Sequence, residues 1–333
     1  MRIAVFGAGA WGTALAQAFS AAHDVCLWGR EADNIDEMRR ARENRCFLPG
    51  IVLRPSLEFS NNFTRAASDA DLHLIATPLA GLRETARALR NLQTQSAHPP
   101  VPLIWVCKGL EAGSGKLPHE IVAEESGTDI ACGVLTGPSF AAEVARGLPA
   151  AITLASNDAA FAATWVRTLH QPRLRLYVNN DVIGCEVGGA VKNIIAIAAG
   201  VADGMGFGLN ARAALITRGL AEIARLARAL GGRHETLMGL AGMGDLILTC
   251  TGDLSRNRQV GLALAAGKTL NDILAELGHV AEGVSTAHEV SRLASRLGID
   301  MPITTAVAAL LHGHLIARDA VERLLARDPK QEC

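Results

Sequence analysis

The chain is poor in aromatic side chains, in unbalanced charge and in paired cysteines. Of 333 residues, 1 is tyrosine and 4 are tryptophan, too little for the stacking platforms that hold single-stranded nucleic acid. The 32 basic residues are matched by 33 acidic ones, for a net charge of −1, and no block of one sign runs long. Nucleic acid and anionic membrane surfaces therefore have no electrostatic foothold. The 7 cysteines, at positions 26, 46, 107, 132, 185, 250 and 333, stand singly, with no Cys-x-x-Cys pair and no histidine at ligand spacing. That argues against a disulfide scaffold and against a metal site, and it fits reduced thiols in a cytoplasmic protein. The longest apolar runs are broken by glycine and by charge, so no membrane span is expected. The first residues, MRIAVFGAGAWG, enter a strand and a glycine turn at once and do not read as a signal peptide. Repeats, low-complexity tracts and Pro/Ser linkers are also missing.

What is present suits large cores: 49% of residues are hydrophobic and 20% charged, over a length that suggests about two domains. Arg2 to Phe6 reads as a short apolar strand. Gly7-x-Gly9-x-x-Gly12 follows it directly and opens a helical run from Thr13 to Phe19. Strand, glycine turn and helix in that order are the context a dinucleotide fingerprint requires. Gly7 permits the tight turn, Gly9 lets backbone approach a pyrophosphate, and Gly12 lets helix pack on strand; the helix start then offers free N–H groups to the phosphates. Trp11 lies inside the loop, to cover a cofactor or to pack. A second strand, Asp24 to Trp28, ends in Gly29-Arg30-Glu31 rather than in a lone acid. Arg30 suits the 2′-phosphate of NADP, and Glu31 keeps NAD open.

Residues 31–65 read as a helix plus an irregular excursion through Pro49-Gly50 and Pro55. Further strands are expected at Asp71–Ala76, Val101–Val106, Ile130–Leu135, Ala150–Ala155 and Leu174–Val178, with helices at Gly81–Leu92 and Asp158–Leu169. Thr77-Pro78, Lys108-Gly109 and Gly137-Pro138-Ser139 each follow a strand. They therefore sit at the carboxyl edge of the sheet, where open α/β folds bind ligands. Ser139 reads as an N-cap for a helix starting at Ala141. Strand signals stop before Asp181.

From Asn180 the chain turns helical. Asn180 or Asp181 opens a helix whose residues from Val187 to Val201 are all apolar or glycine except Lys192 and Asn193. A helix apolar all round is a buried helix, and a buried ammonium needs partners or gives up its proton. Lys192 is either a structural lysine reaching water over its own stem or a catalytic one. Asn210 to Leu230 is a further helix. Asp245 follows Gly242-x-Gly244, and Ser255 caps a helix that runs to Ala266. Arg256, Asn257 and Arg258 on its first turn make an anion site. Asn271–Leu277, Ser285–Leu297 and Thr304–Leu325 complete the helices, with Val280–Gly283 as a loop. The expectation is an α/β Rossmann-like domain with a mostly parallel, doubly wound sheet over residues 1–180, followed by an all-α domain over 181–333.

These stretches together resemble the bacterial NAD(P)-dependent glycerol-3-phosphate dehydrogenases. The resemblance rests on GAGAWGTALA (7–16), CKGLE (107–111), GPSFAAEVARGLP (137–149), EVGGAVKNIIAIAAGVADGMGFGLNARAALITRGLAEI (186–223), GLAGMGDLILTCTGDLSRNRQVG (239–261) and VAEGVSTA (280–287), spread over nearly the whole chain. It implies reversible reduction of dihydroxyacetone phosphate to sn-glycerol 3-phosphate with NADPH or NADH, the supply of the glycerophospholipid backbone. It implies Lys192 as general acid/base, and Lys108, Gly137, Ser139, Asp245, Ser255, Arg256 and Asn257 as substrate contacts. It further implies Trp11, Arg30, Lys108, Ala141, Arg256, Val280 and Glu282 as cofactor contacts beside the glycines, and Asn193 and Thr249 as residues lining the site. On this reading Lys108 and Asp245 assist the lysine. The small-residue-rich C-terminal helices are compatible with a homodimer. A β-hydroxyacid or 6-phosphogluconate dehydrogenase shares the general plan. In that group, however, the lysine's asparagine follows one helical turn later, and residue 196 is alanine here. A catalytically dead dinucleotide sensor would be expected to lose Lys192, Asp245 or the Ser255–Asn257 turn, and all are present.

Overall fold

The computed structural model of the chain describes residues 1–95, 99–127, 129–277 and 281–326. They fall into two compact units: Met1–Lys108 with Lys116–Glu186, and Gly109–Gly115 with Val187–Cys333. The first unit runs β1 (Arg2–Phe6), α1 (Ala10–Phe19), β2 (Asp24–Trp28), α2 (Ala32–Ala41), β3 (Glu58–Ser60), α3 (Phe63–Ala67), β4 (Leu72–Ile75), α4 (Leu82–Thr94), β5 (Leu103–Trp105), α5 (Pro118–Ser126), β6 (Cys132–Thr136), α6 (Ala141–Ala145), β7 (Ala150–Ala155), α7 (Ala159–Leu169) and β8 (Leu174–Asn179).

The strands form one sheet in the order β3-β2-β1-β4-β5-β6-β7-β8. The first six are parallel; β7 pairs antiparallel with β6, and β8 runs parallel to β7. The chain begins in the middle of the sheet, and the order reverses between β1 and β4. That switch point leaves a crevice at the strands' carboxyl ends. In β1, Ile3 through Phe6 are all buried, as are Leu72 through Ile75 of β4. Strands covered on both faces read as continuous apolar runs, which is why they stand out without period-two alternation. His73 of β4 is the polar exception, 2% exposed.

Three elements go beyond the sequence expectation. β3 is only three residues long, and α3 follows two residues later. α5 opens with Pro118 at its first position, and the Leu117 N–H donates to Glu120 Oε2 at 2.7 Å. Proline there loses no hydrogen bond the helix would have made.

The second unit is helical, and among the described residues no strand follows Asn179. α8 (Val182–Gly204) starts in the first unit and is followed by α9 (Gly208–Ala229), α10 (His234–Leu237), α11 (Asp245–Thr251), α12 (Arg256–Ala265), α13 (Leu270–Leu277), α14 (Glu282–Leu297), α15 (Pro302–Leu311) and α16 (Ala317–Leu325). Asp181 opens α8: its carboxylate accepts the Gly184 N–H at 2.8 Å. α8 is long and apolar enough to cross a membrane, yet 94% of its most apolar window is buried inside the protein. It is a core helix.

Two expectations are corrected here. Thr304–Leu325 is not one helix: α15 ends at Leu311, and Gly313 turns the chain with φ +71° before α16. Glycine is the residue that enters that left-handed conformation without strain, and it ends helices for this reason. Glu282 and Gly283 are not loop but the first two residues of α14. Val280 lies outside the described residues.

Candidate functional site

In the first unit the candidate binding surface is made of backbone. Gly7 has φ +122°, and a Cβ there would lie 2.6 Å from the Ala76 carbonyl. A Cβ on Gly12 would lie 2.0 Å from the Gly7 oxygen. Both glycines are required by packing of α1 against the ends of β1 and β4. Gly9 differs: a Cβ there would meet nothing within 4 Å. Its small size keeps open space in front of the loop. Gly9 is also the N-cap of α1, and no side chain caps this helix. The first N–H groups of α1 thus keep their capacity to bind, and a diphosphate is the group that a bare helix start accepts. The residues present fit a dinucleotide.

Around this turn the sequence-predicted residues are placed as follows. Trp11, on the first turn of α1, is half-buried against the sheet core. Arg30 follows β2 and is exposed, its Nε donating to Glu31 at 3.0 Å. Lys108 lies three residues past β5 and is half-buried. Gly137 follows β6, and a Cβ on it would sit 3.1 Å from Ile152 Cα. Ala141 is the first residue of α6. Ser139 is not the cap of α6: Phe140 holds that position, and Ser139 Oγ instead donates to the Gly137 carbonyl at 3.1 Å. The helix is one residue later than a serine cap needs, so the hydroxyl closes the turn.

In the second unit the site is made of side chains. Lys192 and Asn193 are 7% and 4% exposed on α8. Lys192 Nζ donates to Asp245 Oδ1 at 2.6 Å and to Thr249 Oγ1 at 2.8 Å. Thr249 Oγ1 in turn donates to the Asp245 carbonyl at 2.6 Å, one turn back along α11. The aspartate is brought there by a wide helical turn, Leu240–Gly244, which widens from α to π geometry just before α11. Such turns cluster at functional sites because they re-aim the next side chain. Gly188 of α8 makes the approach possible: a Cβ on it would lie 2.6 Å from the Ala241 oxygen. Cys250, next to Thr249, reports how buried this region is: its thiol is pushed up to about 12, chiefly by desolvation.

The start of α12 lies against the same helix. Gly200 and Gly261 let α8 and α12 cross at backbone contact, since a Cβ on either would fall within 2.1 Å of the other helix's carbonyl oxygens. Ser255 is the N-cap, as expected, and its Oγ accepts the Arg258 N–H. Asn257 is buried, and its Oδ1 accepts the Gly283 N–H at 3.1 Å, which ties α12 to the first turn of α14 and to Glu282. The arginines divide. Arg258 is committed to Asp203 and Asp253, at 2.8 and 3.0 Å. Arg256 is exposed and makes no hydrogen bond or ion pair among the described residues. No group of three or more metal-ligating side chains occurs among the described residues. A cavity of about 660 Å³ lies elsewhere in this unit, lined by Val201, Leu215, Ile303, Val307 and others, and it includes none of these polar residues.

A Gly-x-Gly-x-x-Gly turn at an uncapped helix start and, in the second unit, a buried Lys–Asp pair narrow the families sharply. The chain matches the model for the N-terminus of NAD-dependent glycerol-3-phosphate dehydrogenase over residues 2–162, and that for its C-terminus over residues 181–322. The chain belongs to this dehydrogenase family. It is 68% identical over its full length, and the full length of the relative, to a glycerol-3-phosphate dehydrogenase [NAD(P)+] of Aromatoleum aromaticum. A protein of the same name from Dechloromonas aromatica is 61% identical over 100% of this chain and 99% of its own. The crystal structure of glycerol-3-phosphate dehydrogenase from Coxiella burnetii superposes with a TM-score of 0.93 at 42% identity, covering 98% of this chain and 99% of that one.

Two supports of the dehydrogenase framework stand out that sequence reasoning missed. Asn44 is fully buried; its Nδ2 donates to the Ala8 carbonyl at 2.9 Å and to Thr13 Oγ1 at 2.8 Å, so it braces the glycine turn from the loop after α2. Glu186, on the first turns of α8, accepts the Trp105 indole N–H at 2.8 Å and the His119 N–H at 3.0 Å, and its Oε2 meets His119 Nδ1 at 2.6 Å. Burial holds the Glu186 carboxyl above its ordinary range. Burial pulls His119 down, but the Glu186 hydrogen bond and charge outweigh it and raise the imidazole. Asn44 carries the faint signal of an asparagine in an otherwise charged loop.

Proposed function

We propose that this chain reduces dihydroxyacetone phosphate to sn-glycerol 3-phosphate with NADPH or NADH, reversibly, and so supplies the backbone of glycerophospholipids. The observation that carries this reading is the buried Lys192–Asp245 pair at 2.6 Å. A lysine hidden in an apolar helix, held by a carboxylate and a hydroxyl, is built to keep and deliver a proton. When bound, the reduced nicotinamide would supply the hydride that the C2 carbon of the ketone takes up. Lys192 donates a proton to the carbonyl oxygen as negative charge develops there, and solvent returns the proton to the amine. Carbonyl, hydride and proton together make the secondary alcohol.

Asp245 and Thr249 aim the ammonium, and Asn193 holds the geometry beside it. Arg256 and the amide of Asn257, on the helix start capped by Ser255, take the substrate phosphate. Lys108 adds a second positive charge near the substrate, and Gly137 and Ser139 give it close backbone approach. Gly7, Gly9 and Gly12 would hold the pyrophosphate, with Trp11, Arg30, Lys108, Ala141, Arg256, Val280 and Glu282 as further cofactor contacts. The reading includes a homodimer, supported by Phe207 and Leu209 at the head of α9, which are 43% and 71% exposed. It also includes a reducing cytoplasm, supported by the free thiols of Cys26, Cys46, Cys132 and Cys250.

The test is an assay of purified protein with dihydroxyacetone phosphate, following loss of the reduced nicotinamide's absorbance. Oxidation of either cofactor is expected, with no turnover of the oxidised cofactor on 3-hydroxyisobutyrate or 6-phosphogluconate. Folded protein that binds nucleotide but oxidises neither cofactor would sink the assignment. Sedimentation of the wild type against Leu209→Ser tests the dimer.

A further inference from the structure

The segment that follows Lys108 has its own anchor. Gly109–Gly115 belongs with the second unit, while Lys108 before it and Lys116 after it belong with the first. The segment is a tight strap. Leu110 is 2% exposed, the Gly115 N–H donates to the Glu111 carbonyl at 2.8 Å, and Ser114 Oγ donates to Glu111 Oε2 at 2.6 Å. At its apex Gly113 has φ +83°, and a Cβ there would touch nothing within 4 Å. Conformation, not space, calls for glycine at this point.

Two side chains of α14 grip that apex. The Gly113 N–H donates to Glu289 Oε1 at 2.9 Å. Arg292 Nη2 donates to the Gly113 carbonyl at 2.6 Å and, at the same distance, to Glu289 Oε2. Donor and acceptor of one residue are thus held by an acid and a base one helical turn apart, and Glu289 is 4% exposed. A buried carboxylate serves no apolar packing purpose; it is retained where its hydrogen bonds matter. Two turns earlier, about 9 Å along the axis, α14 uses the Gly283 N–H to hold Asn257 of the phosphate-binding turn. One rigid helix therefore fixes both the proposed phosphate ligand and the strap.

We propose that Glu289, with Arg292, is a positioning residue for the reaction: by clamping Gly113 it sets where the chain releases Lys108, and so where that positive charge meets the substrate. This rests on the reading of Lys108 as a substrate-facing cation. Both clamp residues bond the backbone of Gly113, so the proposed effect passes through the strap. A displacement of about 1 Å in a positioned group costs up to roughly 10²-fold in rate. Glu289→Ala is therefore expected to lower kcat/KM for dihydroxyacetone phosphate by roughly 10–100-fold, and to weaken nucleotide binding no more than Lys108→Ala does.

The experiment is a double-mutant cycle of Glu289→Ala with Lys108→Ala, with Glu289→Gln as a folding control. Hydrogen exchange at Gly113 is read in each variant. Glu289→Gln keeps an oxygen for the Gly113 N–H and should recover most of the rate. If the clamp acts through Lys108, the double variant is no slower than Lys108→Ala alone, and Gly113 loses its exchange protection in Glu289→Ala. Additive losses, or a fully active Glu289→Ala with an unprotected Gly113, would overturn the clamp and leave Lys108 standing. A Lys108→Ala enzyme with the wild-type rate would instead show that the assignment of Lys108 has failed, and the clamp would fall with it.

Discussion

The two candidate sites are built by opposite means. The first offers a surface of backbone: three glycines, an uncapped helix start and almost no functional side chain at the turn itself. The second offers side chains: an ammonium within 2.8 Å of both a carboxylate and a hydroxyl, on helices that touch only because glycines let them. A pyrophosphate presents many oxygens and little shape, and an array of N–H groups suits it. A carbonyl that must be protonated at one atom needs one donor held in one direction. The first kind of site tolerates side-chain change and fails on added bulk. The second fails on the loss of a single charge.

The largest expected effect tests the side-chain site. Lys192→Ala should lose about 10²–10⁴-fold or more in kcat, the usual worth of general acid–base help, and leave nucleotide affinity within about twofold. Asp245→Ala should harm the fold as well as the chemistry. It strands a buried ammonium, and breaking one partner of such a pair costs about 3–5 kcal/mol. The double variant Lys192→Met, Asp245→Leu removes both charges and should recover most of that stability while staying inactive. Thermal unfolding and initial rates on the three variants settle this. A double variant as unstable as Asp245→Ala would mean that the pair is not the source of the loss.

The backbone site is tested by two alanines with opposite outcomes. Gly12→Ala puts a methyl 2.0 Å from the Gly7 oxygen and should fail to fold or lose several kcal/mol. Gly9→Ala meets nothing within 4 Å and keeps an ordinary extended conformation, φ −75° and ψ −178°. It should unfold at the wild-type temperature, yet bind nucleotide roughly tenfold or more weakly, about 1.4 kcal/mol. Equal affinity in Gly9→Ala would mean that the pyrophosphate does not approach this residue.

The same contrast explains how much of each site is legible in the order of the amino acids. The glycine turn is written in six consecutive residues, because each backbone demand falls on its own residue. Lys192 can be read because a charge inside an apolar run is anomalous by itself. Its geometry cannot: Asp245 lies 53 residues on, and the wide turn that aims it has no signature beyond glycines. Asn44 and Glu289 escape notice for a related reason. Each holds a backbone group of a distant segment, and a backbone partner leaves no trace in the identity of the residue that provides it. The reading of Thr304–Leu325 as one helix fails in another way. Gly313 does announce a helix end, but the apolar spacing on both sides of it outweighs the signal.

A smaller effect comes from His73, in the sheet that carries the backbone site. Its Nε2 meets the Ala67 carbonyl at 3.2 Å, its edge packs on Phe6, and Nδ1 is buried without a partner. Burial lowers the imidazole from 6.5 to about 4. The folded state therefore binds the proton more weakly than the unfolded chain. The stability this contributes is whole above the unfolded value of 6.5 and is lost as pH falls toward about 4. A drop of about 2.5, at about 1.36 kcal/mol for each pH unit, makes roughly 3 kcal/mol. Denaturant unfolding of the wild type should weaken across that window, and His73→Leu should remove most of the slope. Parallel pH profiles for the two proteins would rule His73 out as the cause.

The smallest effect lies at the boundary between the two kinds of site, where a side chain is asked to add selectivity to a backbone surface. Arg30 follows β2, where a 2′-phosphate would come, but its side chain is 82% exposed and already paired with Glu31 at 3.0 Å. An exposed ion pair is worth about 0–1 kcal/mol, and an exposed arginine facing one phosphate should be worth little more. Arg30→Ala should therefore lower the NADPH/NADH ratio of kcat/KM by about fivefold at most. Glu31→Ala, which frees Arg30 and removes a repulsive carboxylate, should raise it by a similar factor. Added salt should shrink both effects, because both charges stand in water. If neither variant moves the ratio, the choice between the cofactors is not made by these two side chains. A backbone surface shaped for the pyrophosphate common to both would then leave the enzyme with little preference between them.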